Sequence, residues 1–213
     1  VDIAADKIGV RFLLEQGFGV LSEESGVHEP ERELFAVIDP IDGSTNASQG
    51  LPWFATSICV LDGEGPLVGC VLNHATMTTY TAVRGGGAFR DGRSISPSKV
   101  EHLGDAIIGL SGYAPRHLGW AQYRALGAIA LDLCAVADGG LDGYLDCVDG
   151  SHGPWDYLAG MFICLEAGAF VGETKERELI SKKFDDRRSP LGAGTQSLYT
   201  ELFDAYRDTS LTV

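Results

Sequence analysis

Leu34-Phe35-Ala36-Val37-Ile38-Asp39-Pro40-Ile41-Asp42-Gly43-Ser44-Thr45-Asn46 is the stretch on which the reading of this chain turns. An apolar run ends in an acid and a proline, the pattern of a short buried strand. Asp39 and Asp42 leave that strand three residues apart and enter a turn. Pro40 stiffens the turn, and Gly43 lets the backbone approach a ligand closely. Gly-Ser-Thr-Asn then reads as a helix start, where free N–H groups and the macrodipole favour a phosphate. One short segment therefore offers hard oxygen ligands for Mg²⁺ with an anion cradle beside them. Spacing alone leaves ordinary turn chemistry equally open, because Asp-Pro-x-Asp-Gly is also a common turn.

Working outward, residues 3–16 place Ile8, Phe12 and Leu13 or Leu14 at helical spacing. A polar loop over 22–33 separates this helix from the strand. Residues 54–62, 66–73 and 78–83 are apolar or β-branched stretches divided by turn residues, and read as consecutive antiparallel strands. A Gly-rich turn and an Asp91-Gly92 turn follow in 84–96. Residues 126–138 form an apolar helix that stops at Gly139-Gly140. Residues 143–148 are strand-like, 155–167 helical, Ala167–Gly172 one more strand and 196–207 a closing helix. Strands in runs with helices inserted between them predict a layered α+β fold.

The 213 residues can bury one substantial core, or two lobes sharing a cleft. No apolar run approaches a membrane span, and no basic-then-apolar leader opens the chain. The five cysteines form no Cys-x-x-Cys pair, which argues for a reducing cytoplasm rather than a disulfide framework. A formal net charge of −14 makes nucleic acid an unfavourable partner.

Three ordered motifs then resemble those of the inositol monophosphatase-like phosphatases. DPIDGSTN (39–46) resembles the family's Asp-Pro-x-Asp-Gly-Thr/Ser-x-Asn hallmark. SEESG (22–26) is similar to its Gly-Glu-Glu-Ser loop, and PWDYLAG (154–160) to its Trp-Asp helix start. TAVRGGGAFRDGR (81–93) and LDLCAVADGGLDGYLD (131–146) resemble the segments between. The resemblance implies a layered α/β/α/β/α fold of the inositol monophosphatase/fructose-1,6-bisphosphatase type. It implies a single catalytic domain over 1–213, with subdomains of roughly 1–112 and 113–213. Mg²⁺-dependent, lithium-sensitive hydrolysis of an inositol monophosphate or related sugar or polyol phosphate is the implied activity, in a cytoplasmic homodimer that binds neither nucleic acid nor membrane.

Residue by residue, the resemblance implies that Glu23, Asp39 and the Ile41 carbonyl hold a first Mg²⁺, and Asp39, Asp42 and Asp156 a second. Two or three ions are expected, with Mn²⁺ a possible substitute. Ser44 and Asp6 match residues that orient and deprotonate the attacking water, next to Glu23. The Gly43 and Ser44 N–H groups match the phosphate cradle. Asp42, Ala128 and Asp146 match substrate-contacting positions, with Asp149 competing for the role of Asp146. His152 stands open between a substrate contact and a loop histidine. His28, His74, His102 and His117 lack metal-ligand spacing, and Trp53, Trp120 and Trp155 read as packing residues.

Two departures bear on substrate. The helical region that precedes Asp6 in the family is absent from the sequence, with the lysine it carries near the metals. Gly127-Ala128-Ile129 stands where the family has Gly, Ser or Thr, then Ala, so a pocket hydroxyl is lost and bulk is added. Histidinol-phosphate, fructose-1,6-bisphosphate and 3′-phosphonucleotide hydrolysis are the alternatives, although no aromatic clamp for a nucleobase is evident. A non-catalytic partner in transcription complexes is the alternative of a different class.

Overall fold

The computed structural model describes residues 2–210. Helix α1 (Asp2–Glu15) is followed by the short strands β1 (Gly19–Ser22) and β2 (Gly26–His28), then β3 (Phe35–Asp42) and the one-and-a-half-turn helix α2 (Ser44–Gln49). Strands β4 (Ala55–Asp62), β5 (Gly65–Asn73) and β6 (Thr78–Val83) form the antiparallel run that the sequence predicts, and β7 (Gly87–Arg90) and β8 (Arg93–Ser94) extend it through the stretch read as turns. The second half contains β9 (Ile107–Ser111), β10 (Gln122–Arg124), α3 (Ile129–Ala137), β11 (Gly143–Asp146), α4 (Pro154–Ala167), β12 (Phe170–Glu173), β13 (Pro190–Ala193) and α5 (Gln196–Ser210).

These elements build two sheets. The first has the order β2-β1-β3-β4-β5-β6-β7-β8, and the second β10-β9-β11-β13-β12. Helix α1 packs on the outer face of the first sheet, where Val10 and Leu13 meet Val20, Ala36 and Ile38. Helices α3 and α4 lie between the sheets, and α5 covers the far side of the second through Leu198 and Leu202. The layers thus run α/β/α/β/α. Because α3 and α4 come from the second half yet share one core with the first sheet, the halves are welded together. The break between the two sheets falls between Ser94 and Ile107.

The sequence pattern missed β1, β9, β10 and β13, each three to five residues long and too short for a period to register. The loop expected over 22–33 also contains β2. In α1 the helix is as predicted but the buried face is not. Asp6, Val10 and Leu13 point inward, while Ile8 and Phe12 are exposed. Asp6 counts against burial on hydropathy, but its carboxylate is satisfied by hydroxyl donors beneath the helix.

The helix sandwich depends on close approach. A Cβ placed on Gly160 of α4 would stand 2.8 Å from the Leu133 Cβ and 3.0 Å from the Ala130 carbonyl oxygen. Gly160→Val is therefore expected to lower stability by about 2 kcal/mol through overpacking. Urea denaturation checks this as a lower midpoint at constant slope; an unchanged midpoint would show that the α3–α4 contact has room to spare.

Candidate active site

The two acids of the motif share a site because β3 is irregular. In a regular strand, residues three apart point to opposite faces. Here Asp39 pairs with Ser57 and Asp42 with Ala55, so three steps on β3 match two on β4. The extra residue is a β-bulge, which re-aims both carboxylates. Pro40, which has no N–H to give to a ladder, sits inside that bulge where it costs least. The Ile41 N–H turns back to Asp39 Oδ1 at 2.8 Å and fixes that carboxylate.

Gly43 caps α2 with φ of 82°, a left-handed value that favours glycine. Any Cβ there would meet Ala128 Cβ and the Trp53 carbonyl oxygen, both at 3.0 Å. No side chain caps the first turn of α2. Ser44 lines an open cleft with Ile41, Thr45 and Phe54. Asn46, next in the motif, is buried and donates to the Trp53 and Leu126 carbonyls, both at 2.7 Å. It ties the motif to the loop that carries Ala128.

Glu23 and Asp156 complete the centre. Glu23 follows β1 directly, and Asp156 sits in the first turn of α4, where its Oδ2 accepts the Gly153 N–H at 2.7 Å. Oxygen atoms of Glu23, Asp39 and Asp156 all lie within 4.8 Å of one another. Asp42 stands outside this tight group. Its Oδ2 accepts the Ala130 N–H at 2.7 Å at the start of α3, a favourable place for a negative charge.

No lysine or arginine pairs with these four acids among the described residues. Burial, then the charge of Asp42 and the other acids, holds the Asp39 pKa well above the carboxylate range. Burial and then Asp156 do the same for Asp42. Glu23 is exposed as a residue, yet its carboxyl is crowded by protein; that desolvation, followed by the Asp156 charge, raises it to about 7. Three converging oxygen donors without a compensating cation form a possible metal site, and an all-carboxylate donor set suits a hard divalent ion.

Behind the acids lies a small cavity of about 110 Å³ lined by Asp42, Ala128, Asp132, Tyr144 and His152. Asp146 is fully buried at the end of β11. It accepts from the Val148 N–H and the Ser151 hydroxyl, so it reaches the cavity only through His152, 3.7 Å away. Asp149 is drawn off to Lys175 at 2.5 Å and does not compete for this place. His152 stands between Asp146 and Asp156, with ring nitrogens 3.7 and 3.6 Å from them. Burial alone would lower its pKa, but Asp156, then Asp146 and Asp132, outweigh that and raise it.

Asp6 accepts from Ser22 Oγ at 2.5 Å and from Ser25 Oγ at 3.1 Å, and no hydrogen bond joins it to Ser44 among the described residues. Sequence reasoning missed Asp132, which accepts the Trp53 Nε1–H at 2.8 Å and is pushed by burial to about 7. A lone acid in the apolar run Leu131-Asp132-Leu133-Cys134 was the available signal.

The sequence model of the inositol monophosphatase family matches residues 5–208. The chain belongs to the inositol monophosphatase family. Among relatives, a fructose-1,6-bisphosphatase/inositol-1-monophosphatase of Archaeoglobus fulgidus is 34% identical over 209 residues, covering 95% of this chain and 81% of its own. Nus factor SuhB of Vibrio cholerae is 33% identical over 167 residues, 71% of this chain and 61% of its own. The solved inositol monophosphatase of Anabaena sp. PCC 7120 superposes with a TM-score of 0.86 at 27% identity, covering 97% of this chain and 86% of that one. Inositol monophosphatase family membership thus joins the layered fold to the acidic centre.

With divalent cations removed, the raised carboxyls make stability depend on pH. For Glu23 the folded value is about 7 against an ordinary 4.5. Its contribution is full below the ordinary value and is lost as pH rises through the folded one. Tm in EDTA is therefore expected to climb as pH falls from about 8 to about 5, and Mg²⁺ should flatten the trend by favouring the ionised acids. Asp39→Asn should raise the EDTA Tm at pH 8 by roughly 3 °C while shrinking the gain from Mg²⁺. A Tm indifferent to pH, metal and this substitution would show that the acids do not repel.

Proposed function

We propose that this chain hydrolyses a small phosphate monoester, such as an inositol monophosphate or a related sugar or polyol phosphate, with Mg²⁺. The convergence of Glu23, Asp39 and Asp156 beside the uncapped turn at Gly43 carries the reading, because it puts cation ligands next to an anion cradle. Glu23, Asp39 and the Ile41 carbonyl would hold one ion, and Asp39, Asp42 and Asp156 another. Mn²⁺ could replace Mg²⁺ on the same oxygen donors. The ions, when bound, supply Lewis-acid polarisation of the phosphate and activation of water.

The protein's own groups have separate tasks in this reading. The Gly43 and Ser44 N–H groups bind phosphate oxygens and leave phosphorus open on one side. Glu23 and the Ser44 hydroxyl orient the attacking water, and Asp6, held by Ser22 and Ser25, receives its proton. The water oxygen bonds to phosphorus, the ester P–O bond breaks, and the leaving alkoxide takes a proton from solvent water to depart as the alcohol. The leaving alcohol faces the cavity of Asp42, Ala128, Asp132 and His152. Asp146 acts on that cavity by orienting His152. No helix among the described residues is long and apolar enough to cross a membrane, which suits a cytoplasmic enzyme, and a homodimer completes the reading.

The match to SuhB favours one second reading, a protein-binding role in which turnover is dispensable. Phosphate release decides between them. Inositol 1-phosphate, glycerol 2-phosphate, histidinol phosphate and fructose 1,6-bisphosphate should be cleaved with Mg²⁺, not with EDTA, and less with Li⁺. Asp42→Asn and Gly43→Ala should each lower kcat/KM by about 100-fold or more. Full turnover by Asp42→Asn would sink the metal assignment, and silence on every ester with Mg²⁺ bound would favour the binding role.

A further inference from the structure

Residues 174–189 connect β12 to β13 without a helix or strand of their own, a length that usually marks a functional loop. The loop is nonetheless well tied down. Leu179 is buried, and its carbonyl accepts the Tyr157 hydroxyl of α4 at 2.7 Å. Ser181 Oγ donates to Asp186 Oδ2 at 2.6 Å, and Arg188 Nε to the Glu178 carbonyl at 2.7 Å. The Lys182 ammonium lies 5.2 Å from the centre of the Phe35 ring on β3. At its return the loop pairs with the segment before α4. There the Arg188 N–H donates to the His152 carbonyl at 2.9 Å, and the His152 N–H to the Arg188 carbonyl at 3.2 Å. One loop thus touches β3, α4 and the approach to Asp156.

Two of its side chains reach the supports of the acidic centre. Phe184 packs on Trp155 with ring centroids 5.3 Å apart, and the Arg187 guanidinium lies 4.9 Å from the centre of the same indole. Arg187 also donates to the Phe184 carbonyl at 2.7 Å, which holds the two together. Trp155 directly precedes Asp156, and its ring lies against Gly153, where a Cβ would stand 2.5 Å from it. The Gly153 N–H is the donor that fixes Asp156 Oδ2. Phe184 also reaches Gly26, where a Cβ would stand 4.0 Å from its ring. Gly26 pairs with Ser22 and so closes the turn that carries Glu23. One ring therefore spans from the support of Asp156 to that of Glu23, two acids far apart in the chain whose oxygens converge. The ring remains 37% exposed, so its own burial adds little to the core.

We propose that Phe184 and Arg187 are positioning residues for the cation centre, clamping Trp155 and Gly26 so that Asp156 and Glu23 stay together against their mutual repulsion. The inference rests on the metal assignment of the phosphatase reading and adds to it two residues that are not themselves ligands. Carboxylates that repel move apart when their supports yield, and part of a cation's binding energy then goes into bringing them back. A clamp in place before the ion arrives removes that cost. The Phe184 ring supplies the contact surface, and the guanidinium fixes the indole face by a cation–π contact. Loss of either acts on metal affinity, as loss of the groups that orient metal ligands generally does.

The test titrates the whole chain with Mn²⁺ alone, followed by loss of the free-ion EPR signal, with Tm in EDTA measured beside it. Phe184→Ala should raise the Mn²⁺ Kd about tenfold, the lower end for groups that orient metal ligands. Arg187→Gln should raise it about threefold, the scale of one exposed cation–π contact. Phe184→Tyr keeps the ring and should bind as the wild type does. Phe203→Ala is the control for a merely structural effect. On α5, Phe203 stacks on Tyr199 with centroids 6.3 Å apart and has the Arg207 guanidinium 5.5 Å from its centre, a similar stack on the far side of the second sheet. Phe203→Ala should lower Tm and leave Kd unchanged. Wild-type affinity in Phe184→Ala, or an equal loss in Phe203→Ala, overturns the proposal and leaves the metal assignment standing. If Phe184→Ala does not fold, Arg187→Gln decides, and an unchanged Kd there overturns the proposal. No saturable Mn²⁺ binding by the wild type overturns the metal assignment itself, and the clamp with it.

Discussion

Mutual repulsion among buried carboxylates is the constraint around which this molecule is organised. Asp39 and Asp42 are almost wholly removed from water, and Glu23 and Asp156 face them with His152, 3.6 Å from Asp156, as the basic neighbour. Uncompensated charges in such surroundings are costly, so the acids are held by features that permit no other arrangement. The bulge at Pro40-Ile41 aims two of them, the first turn of α4 anchors a third, and the end of β1 delivers the fourth. Two layers of the fold, the first sheet and the α4 helix layer, therefore converge on one point, and a cation there would relieve the electrostatic conflict they create.

The same economy is visible around the centre. Asp42 serves as an acid of the site and as an acceptor for the Ala130 N–H, which couples the first sheet to α3. Asn46 spans the same junction with two donors. His152 lies between Asp146 and Asp156, and so connects the small cavity it lines to the acidic cluster. Residues that position one another in this way act together, and their single-substitution effects should not add.

Much of this was legible in the chain. Alternating runs over 54–83 announced the meander, the apolar runs over 126–138 and 155–167 announced the buried helices, and the ordered motifs announced the family. Those signals are local, since each is set by period, turn chemistry or a short spacing. What escaped was short or depended on distant partners. Strands such as β9 and β13 carry no period of their own and exist because neighbouring strands pair with them. The inward face of α1 was misjudged because Asp6 is buried against Ser22 and Ser25, far along the chain, while Ile8 and Phe12 are left outside.

The sequence by itself determined the layered α+β class and the family, and it singled out Glu23, Asp39 and Asp156, whose oxygens the fold brings together. Each follows from residue type and local order, which the chain displays directly. Only the tertiary structure decided which acids meet, that Asp6 is held by Ser22 and Ser25, and that Asp146 is hidden while Asp149 turns to Lys175. It alone brought Tyr113, Arg116 and Trp120 around one cavity. The physical reason is that burial, pKa and cavity shape are properties of juxtaposition, and juxtaposition is set by packing between elements that local sequence cannot see.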